Sequence, residues 1–216
     1  MTYSEEDYIK AIYHLHKDPT SYVSTNAIAA QLNTKASSVT DMIQKLSDKE
    51  VVHYKKYQGV RLTEKGDVYA ASIVRKHRLW EYFLVKKLNF SWDEVHDVAE
   101  ELEHIKSDQL IQRLDAFLDY PKMDPHGDPI PDEFGRIPDI KKVLLAKMKP
   151  SQFGIVIGVK DSSSEFLRYL DKLHIALGTS IKVLDKEAFD NSMAIIIDNK
   201  TIHISALTAS NIYIKT

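Results

Sequence analysis

The first fifty residues show three helical patterns of apolar and polar positions. A first helix is predicted to begin at Ser4, whose hydroxyl can cap an acidic first turn, and to end near Pro19. Ser24 is predicted to cap a second helix over residues 25–32, and a third helix is predicted over residues 36–50. The second and third patterns are joined by a tight polar turn. This order is typical of a helix-turn-helix.

A basic hairpin is predicted directly after the third helix. Residues 51–62 form two β-rich runs around a turn that contains Gly59, and the tip is basic. A helix-turn-helix followed by such a hairpin is typical of a winged helix-turn-helix, a DNA-binding fold. Hydroxyl groups and amides at a helix N-terminus can bind phosphate, and Gln or Asp can read base edges. The candidate DNA contacts are Lys35, Ser37, Ser38, Thr40, Asp41, Gln44, Lys45, Lys55, Lys56 and Arg61.

The middle of the chain predicts three more helices and one irregular segment. A long helix is expected from Glu64 to about Leu88, and two shorter ones are expected over residues 92–105 and 108–118. Residues 119–138 contain five of the seven prolines. Because proline cannot continue a helix or donate to a sheet, this segment should form an irregular connection.

Short β-rich runs dominate the chain beyond Ile140. Five such runs, with one helix near residues 163–173, indicate a small β-barrel. The predicted fold class is therefore mainly α-helical with small β parts. Three domains are expected: a winged helix-turn-helix over residues 1–64, a helical domain with the proline-rich connection over residues 65–140, and the barrel over residues 141–216.

The amino-acid composition limits the kinds of metal ligand, cross-link and partner that are possible. The chain has no cysteine, which excludes disulfides and thiolate metal ligands, but it has nine histidines. It has no apolar run long enough for a membrane helix and begins with an acidic segment, so we expect a cytoplasmic protein without a membrane partner. Residues 1–87 carry 14 Lys/Arg against 10 Asp/Glu, whereas residues 88–140 carry 4 against 14. This segregation favours phosphate contact in the first part and cation binding in the second.

A group of carboxylates and imidazoles is the strongest chemical signal. His96, Glu100, Glu103 and His104 follow one another at helical spacings, which would place the last three on one helix face. The preceding helix adds His77 and Glu81, four residues apart. Carboxylates gathered on one face repel one another unless a cation lies between them. Oxygen and nitrogen ligands without sulfur suit Mn(II), Fe(II) or Zn(II) better than Cu(I).

Other interpretations of this group stay open from the residues alone. The histidines could be ordinary structural residues and the glutamates a solvated face, in which case the protein would be a winged-helix regulator of a different effector. An enzyme is a weaker alternative. A di-iron carboxylate oxidase would need a second Glu-x-x-His motif on another long helix, and the His-Glu-x-x-His motif of zinc proteases is also absent. We therefore expect no enzymatic activity.

Six short motifs together resemble a known family. They are Arg75-Lys76-His77-Arg78-Leu79 followed by Glu81, Val95-His96-Asp97, Glu103-His104 with Ser107-Asp108, Pro121-Lys122, Pro125-His126-Gly127 and Ile130-Pro131. The chain resembles the three-domain, manganese-type members of the diphtheria-toxin-repressor family of iron- and manganese-dependent regulators. The resemblance is dense as far as Pro131 and loose afterwards. It implies a homodimer formed by the helices after the wing, a palindromic operator in double-stranded DNA, a C-terminal SH3-like (FeoA-like) domain and repression of metal-uptake genes.

The resemblance also implies two metal sites. The family's principal site maps onto Asp7, His77, Glu100, Glu103 and His104, and its second site maps onto Glu81, Asp124, His126 and Asp161. His96 matches a ligand of an ancillary site in the iron-type members. Asp7 and Glu100 replace a methionine and a cysteine of the iron-type members, and such hard oxygen donors favour Mn(II) over the softer late metals. The expected cofactor is Mn(II) or Fe(II), between which the sequence does not decide, with Zn(II) as a substitute. Lys10 stands where two-domain manganese-type members carry a glutamate, so a binuclear principal site is not expected.

The implied mechanism is a metal-dependent change in DNA affinity. Asp7 belongs to the DNA-binding part and Glu103 and His104 to the dimerisation part, so a bound ion would fix the spacing of the two recognition helices in the dimer. Metal then favours DNA binding only to the extent that it binds the DNA-competent conformation more tightly than the other conformation. Operator DNA must raise the affinity for metal in return. The second site would dock the C-terminal domain, unless that domain packs passively.

Overall fold

The computed structural model describes residues 1–16, 18 and 20–215. The chain divides into two compact units. The first comprises Met1–His77, Glu100–Ile111 and Pro131–Ile137, and the second comprises Arg78–Ala99, Gln112–Ile130 and Pro138–Thr216.

Three helices and a hairpin open the first unit. They are α1 (Tyr3–Leu15), α2 (Thr25–Gln31), α3 (Ala36–Asp48), β1 (Val52–Lys55) and β2 (Gly59–Leu62). The two strands pair in antiparallel register, and Val60 also bridges to Val23 ahead of α2. Gly59 lies at φ +117°, and a Cβ there would come within 2.2 Å of the carbonyl oxygen of Val23. Glycine therefore allows the hairpin to lie against the helix-turn-helix, and the predicted winged helix-turn-helix is confirmed.

The start of α1 differs from the prediction. Thr2 caps the helix instead of Ser4, because the Glu5 amide donates to the Thr2 hydroxyl (3.3 Å) and the Thr2 amide donates to the Glu5 carboxylate (2.8 Å). This reciprocal capping box satisfies two donors that a Ser4 cap would leave to water. The helix ends at Leu15, earlier than predicted, and Pro19 lies outside the described residues. Ser24 caps α2 as predicted, accepting from the amide of Ala27.

Apolar side chains of these elements form the core of the first unit. Ile9, Ile12, Ile28, Ile43 and Leu46 are fully buried in it. Each such side chain contributes about 1.5–3 kcal/mol relative to exposure. Because α1 supplies two of the five, the polar residues of α1 are held in fixed positions relative to α2 and α3.

The next helices are α4 (Glu64–Leu88), α5 (Val95–Leu102) and α6 (Asp108–Phe117). The bounds of α4 match the prediction, but α5 is shorter than the predicted residues 92–105 at both ends. Before it, the amide of Glu94 closes a turn on the carbonyl of Ser91, and after it the amide of Ile105 closes one on the carbonyl of Leu102. Glu103 and His104 consequently lie in a turn rather than on the predicted helix face.

A six-stranded antiparallel sheet dominates the second unit. Its strands are β3 (Val143–Leu144), β4 (Phe153–Val159), β5 (Ser180–Lys186), β6 (Met193–Ile197), β7 (Lys200–Ile204) and β8 (Ile212–Lys215), in the order β3-β8-β4-β5-β6-β7. Helix α7 (Ser164–Lys172) follows β4, and a 3₁₀ turn (Leu145–Lys147) and α8 (Ala206–Ala209) also lie in this C-terminal part of the unit. The sheet and α7 agree with the predicted C-terminal domain, whereas β3, the 3₁₀ turn and α8 had not been predicted.

The proline-rich connection is irregular, as predicted, apart from an isolated bridge between Met123 and Pro129. None of the helices in the described part of the chain combines the length and the apolar composition that crossing a membrane requires.

Candidate metal centre

A first group of possible metal ligands lies in the first unit. Asp7, Glu103 and His104 each offer a ligand atom, and these three atoms lie within 4.8 Å of one another. Helix α1 supplies Asp7, and the turn after α5 supplies the other two. The Nε2 atom of His104 is 3.2 Å from Oδ1 of Asp7. The structure therefore brings together three of the five residues predicted for the principal site. We call Asp7, Glu103 and His104 the first cluster.

Glu6, which the sequence analysis did not single out, orients His104. Its Oε2 is 2.7 Å from Nδ1 of His104, and its Oε1 accepts a hydrogen bond from the hydroxyl of Tyr69 at 2.5 Å. The ring of Tyr3 stacks on the imidazole at 4.5 Å. When Nδ1 donates to a carboxylate, Nε2 presents its lone pair, which is the usual arrangement behind a metal-binding histidine. Nε2 is the atom that faces Asp7.

Glu103 is fully buried and only half satisfied. Its Oε2 accepts a hydrogen bond from Lys10 at 2.6 Å and lies 2.7 Å from Nδ1 of His77. Its Oε1 has no hydrogen-bond partner among the described residues. An unpaired buried carboxylate oxygen is costly, and a cation beside it would remove that cost. The donor set of two carboxylates and an imidazole, with this unpaired oxygen, fits a divalent metal ion.

Lys10 lies among the remaining predicted ligands. Its ammonium donates to Oε1 of Glu100 at 2.6 Å, as it does to Glu103, and is 3.3 Å from Nδ1 of His77. The side chain of Lys10 is 11% exposed, that of Glu103 is 0% exposed and that of Glu100 is 39% exposed. Glu100 and His77 are thus gathered around an ammonium ion rather than with Asp7 and His104.

The electrostatic environment of Asp7 would also favour a cation nearby. Burial raises the pKa of the Asp7 carboxyl; His104 lowers it, and the nearby Glu100 and Glu103 raise it further. A cation beside Asp7 would reverse this effect, because an opposite charge stabilises the ionised form.

A second group lies in the second unit. Glu81, Asp124 and His126 are all buried, and their ligand atoms lie within 4.8 Å of one another. Glu81 Oε2 is 3.6 Å from Nδ1 of His126, while its Oε1 is 3.4 Å from Nδ1 of His96. Nε2 of His126 is 2.7 Å from the carbonyl oxygen of Trp92. Donation to that carbonyl directs Nδ1 towards Glu81. We call Glu81, Asp124 and His126 the second cluster.

The second cluster has perturbed proton affinities. Burial, together with the charges of Glu81 and Asp128, raises the pKa of Asp124 to about 7. Burial alone would lower the pKa of His126, but its hydrogen bond with Glu81 and the charges of Glu81 and Asp124 raise that pKa to about 9. A proton on His126 therefore acts as the counter-charge of the two carboxylates.

Backbone contacts hold the second cluster in place. Oδ1 of Asp124 accepts from the amides of His126 (2.8 Å) and Asp128 (2.9 Å), and Arg78 donates to the carbonyl of Pro129 at 2.5 Å. Gly127 lies at φ +84°, where a Cβ would come within 1.9 Å of the carbonyl oxygen of Ile157 in β4. The loop of the second cluster thus packs directly against the sheet.

Two residues predicted for metal binding, Asp161 and His96, do not belong to either cluster. Asp161 is exposed and accepts from the amide of Ser163 at 2.9 Å, and it is not among the three residues whose ligand atoms converge. His96 is 58% exposed at its side chain, and its Nδ1 lies 3.4 Å from Oε1 of Glu81. Neither position tests the predicted role of these residues in a loaded site.

The predicted DNA contacts lie on one helix face and the hairpin. Val39, Ile43 and Leu46 of α3 are buried at spacings of four and three, so Ser37, Ser38, Thr40, Asp41, Gln44 and Lys45 are exposed. The exposed N-cap residue Lys35 precedes them, the exposed Lys55 and Lys56 lie at the hairpin tip, and Arg61 is half-buried on β2.

The sequence analysis did not identify Tyr22, whose ring contacts basic residues of the hairpin. The ammonium of Lys55 lies 5.2 Å, and the guanidinium of Arg61 lies 5.7 Å, from the centre of its ring. Two of the three basic residues of the hairpin that are predicted to contact DNA, Lys55 and Arg61, therefore interact with the ring of Tyr22.

Three protein-family models match successive parts of the chain. A model described as the N-terminal DNA-binding domain of iron-dependent repressors matches residues 1–60. The metal-binding and dimerisation domain of iron-dependent repressors matches residues 63–132, and the FeoA domain matches residues 143–216.

Individual proteins are similar over most of their lengths. An uncharacterized HTH-type transcriptional regulator of Methanocaldococcus jannaschii is 38% identical over 119 residues, which are 55% of this chain and 95% of that protein. The HTH-type transcriptional regulator MntR of Oceanobacillus iheyensis is 36% identical over 143 residues, 66% of this chain and 90% of its own. A solved structure of a manganese-dependent transcriptional repressor in complex with manganese is 35% identical, with a TM-score of 0.86 over 98% of this chain and 99% of that one.

Proposed function

This chain belongs to the diphtheria-toxin-repressor family of iron-dependent repressors, and we propose that it is a transcriptional repressor whose affinity for operator DNA rises when Mn(II) binds the first cluster. The observation that carries the proposal is the first cluster itself: the ligand atoms of Asp7, Glu103 and His104 lie within 4.8 Å of one another, and Oε1 of the buried Glu103 has no hydrogen-bond partner among the described residues. A metal ion there would bring a positive charge to Asp7 and to the carboxylate oxygen of Glu103 that Lys10 does not contact.

We assign Asp7, Glu103 and His104 as the ligands that the structure already gathers, and Glu100 and His77 as ligands that complete the principal site. Hard carboxylate donors without sulfur support Mn(II) over later transition metals. A relative supports the same ion, because the similar solved structure is a manganese-dependent repressor in complex with manganese. Fe(II) is the second choice, and Zn(II) is a substitute that binds the same donors.

We assign Glu81, Asp124 and His126 to a second metal site that ties the proline-rich connection to the C-terminal sheet. The support is the contact of the Gly127 loop with β4, which would transmit binding at the second cluster to that sheet. Asp161 and His96 are proposed as additional ligands. Occupancy of the second site would steady the C-terminal domain rather than the DNA-binding helices.

The proposal extends to partners and organisation. The protein acts as a homodimer on a palindromic operator, with domains over residues 1–64, 65–140 and 141–216, and it represses metal-uptake genes in the cytoplasm without enzymatic activity. The exposed face of α3 and the basic hairpin support the DNA assignment. Phosphate contacts from Lys55, Lys56 and Arg61 would position the protein, and α3 would contact the bases.

Helix α1 connects metal to DNA in this account. Ile9 and Ile12 are buried in the core shared with α2 and α3, while Asp7 on the same helix belongs to the first cluster. An ion that holds Asp7 to Glu103 and His104 therefore restrains the whole helix-turn-helix. That restraint favours DNA binding by the amount by which the ion prefers this arrangement.

One observation favours the alternative of a regulator with another effector. Lys10 already neutralises part of the charge of Glu100 and Glu103. In that case the carboxylates would be structural, and DNA binding would not depend on metal.

DNA binding by chelator-treated protein distinguishes the two functions. Fluorescence anisotropy measures the affinity of the protein for promoter fragments from its own genome. Measurements without metal and with Mn(II), anaerobic Fe(II) or Zn(II) show how that affinity depends on metal. We expect steep activation by Mn(II) and its loss in Glu103→Ala. Equal affinity with and without metal would establish the alternative.

A further inference from the structure

Lys10 has contacts that the proposed function does not use. Its ammonium donates to Glu100 and to Glu103 at 2.6 Å each, and it is 9% exposed as a whole residue. Lysine is rarely this buried unless its charge is paired. Here both partners are residues that we assign as metal ligands.

The position of Lys10 on α1 explains how it reaches the site. It follows Asp7 by three residues, so the two side chains lie on the same face of the helix. One helix face therefore supplies both a ligand for a cation and a cation of its own. The four-carbon stem of lysine is flexible, so the ammonium can leave while α1 stays in place.

We infer that Lys10 is a tethered cation that holds Glu100 and Glu103 together in the metal-free protein and competes with the metal ion for them. This inference rests on the proposed metal site. Two cations at the same pair of carboxylates repel each other, and repulsion is stronger at a buried site than in water. The ammonium thereby raises the concentration of Mn(II) at which the protein responds.

A competing lysine and a merely structural lysine predict opposite changes in Mn(II) affinity when Lys10 is replaced. In Lys10→Met, the apolar stem is kept and the charge is lost. If Lys10 competes, the metal-free protein should melt at a lower temperature, because Glu103 loses a donor, while Mn(II) should bind about 5- to 150-fold more tightly, the usual range of coupling between two sites. If Lys10 only supports the fold, both the melting temperature and the Mn(II) affinity should fall.

The test uses the full chain and two readouts. Melting in the presence of chelator is followed by circular dichroism, and Mn(II) affinity is measured by competition with a fluorescent chelator. Lys49→Met is the matched control, because Lys49 bonds Glu5 at 2.6 Å in the same unit but outside the first cluster. It should leave Mn(II) affinity unchanged. Lys10→Arg, which keeps the charge, should retain an affinity near that of the original protein.

Unchanged or weaker Mn(II) binding by Lys10→Met overturns the inference. If Lys10→Met does not fold without metal, refolding on addition of Mn(II) supports competition. The Mn(II) affinity is then measured with Lys10→Gln, for which competition again predicts tighter binding. The DNA readout separates this inference from the proposed function. Tighter Mn(II) binding in Lys10→Met with no metal effect on operator affinity would support the role of Lys10 and refute the repressor switch.

Discussion

Glu6 Oε2 lies 2.7 Å from Nδ1 of His104, across 98 residues of sequence. The contact fixes the imidazole so that Nε2 faces Asp7 at 3.2 Å. Tyr69 donates to the other oxygen of Glu6, which keeps the carboxylate in place. The ligand geometry of the first cluster therefore depends on a residue that need not bind the metal itself.

Replacing Glu6 should weaken metal binding without removing a ligand. Loss of the carboxylate behind a metal-bound histidine usually costs about 10- to 100-fold in affinity, and we expect this for Glu6→Ala. Mn(II) affinity by competition with a chelating dye is the measurement. Glu5→Ala removes a buried carboxylate that bonds Lys49 instead, and it should change Mn(II) affinity much less. Equal losses in the two variants would contradict the orienting role.

Glu103→Gln tests the unpaired carboxylate oxygen. The amide is nearly the same size but uncharged, so it cannot offer a second anionic oxygen to a cation. We expect Mn(II) binding at the first cluster to be lost, while the second cluster still binds. The stoichiometry of bound Mn(II), measured by equilibrium dialysis with elemental analysis, should fall by one ion per chain. An unchanged stoichiometry would show that Glu103 is not a ligand.

Metal binding at the second cluster should strengthen as the pH rises from 6 to 8. His126, with a pKa of about 9, is protonated over this range, and Asp124, with a pKa of about 7, becomes protonated below pH 7. Metal must displace these protons, so affinity should rise about tenfold per unit above pH 7 and more steeply below it.

Calorimetry in the Glu103→Gln background isolates this effect, because it removes binding at the first cluster. Titrations in two buffers with different heats of ionisation give the number of protons released. About one proton per metal ion is expected at pH 8 and more at pH 6. A pH-independent affinity with no proton release would rule out the second cluster as the site.

The salt dependence of operator binding tests the hairpin. Lys55 is exposed at the tip of the hairpin. The logarithm of the affinity falls as the logarithm of the salt concentration rises, and removal of one phosphate contact should make this slope less steep by about 1. We expect Lys55→Ala to weaken binding to all DNA sequences by a similar factor. Lys200→Ala, an exposed lysine of β7, is the control and should leave the slope unchanged. An unaltered slope in Lys55→Ala would place the wing away from DNA.

The sequence predicted the elements whose periodicity extends over several turns or whole strands. The bounds of α4 and the hairpin followed from local pattern, and the C-terminal sheet followed from repeated β-rich runs. Elements of two to four residues, such as β3 and α8, were missed because so short a segment cannot show a helical or strand periodicity. The predicted helix over residues 92–105 was too long, because turns at both ends compete with it.

The candidate site was predictable in its chemistry but not in its contacts. Carboxylates and imidazoles at helical spacing identified Glu103 and His104. The partners Glu6 and Lys10 could not be assigned in this way, because their roles arise from tertiary contacts with residues about 90 positions away. Lys10 was visible only as a departure from a family pattern, and its pairing with two carboxylates needed the structure.

The most direct test of the account is the affinity for Mn(II) measured with and without saturating operator DNA. If metal binding and DNA binding favour the same conformation, each must raise the affinity for the other by the same factor. We predict that operator DNA tightens Mn(II) binding about 5- to 150-fold, and that Glu103→Gln abolishes this gain. An Mn(II) affinity that is the same with and without DNA would contradict the proposed metal switch.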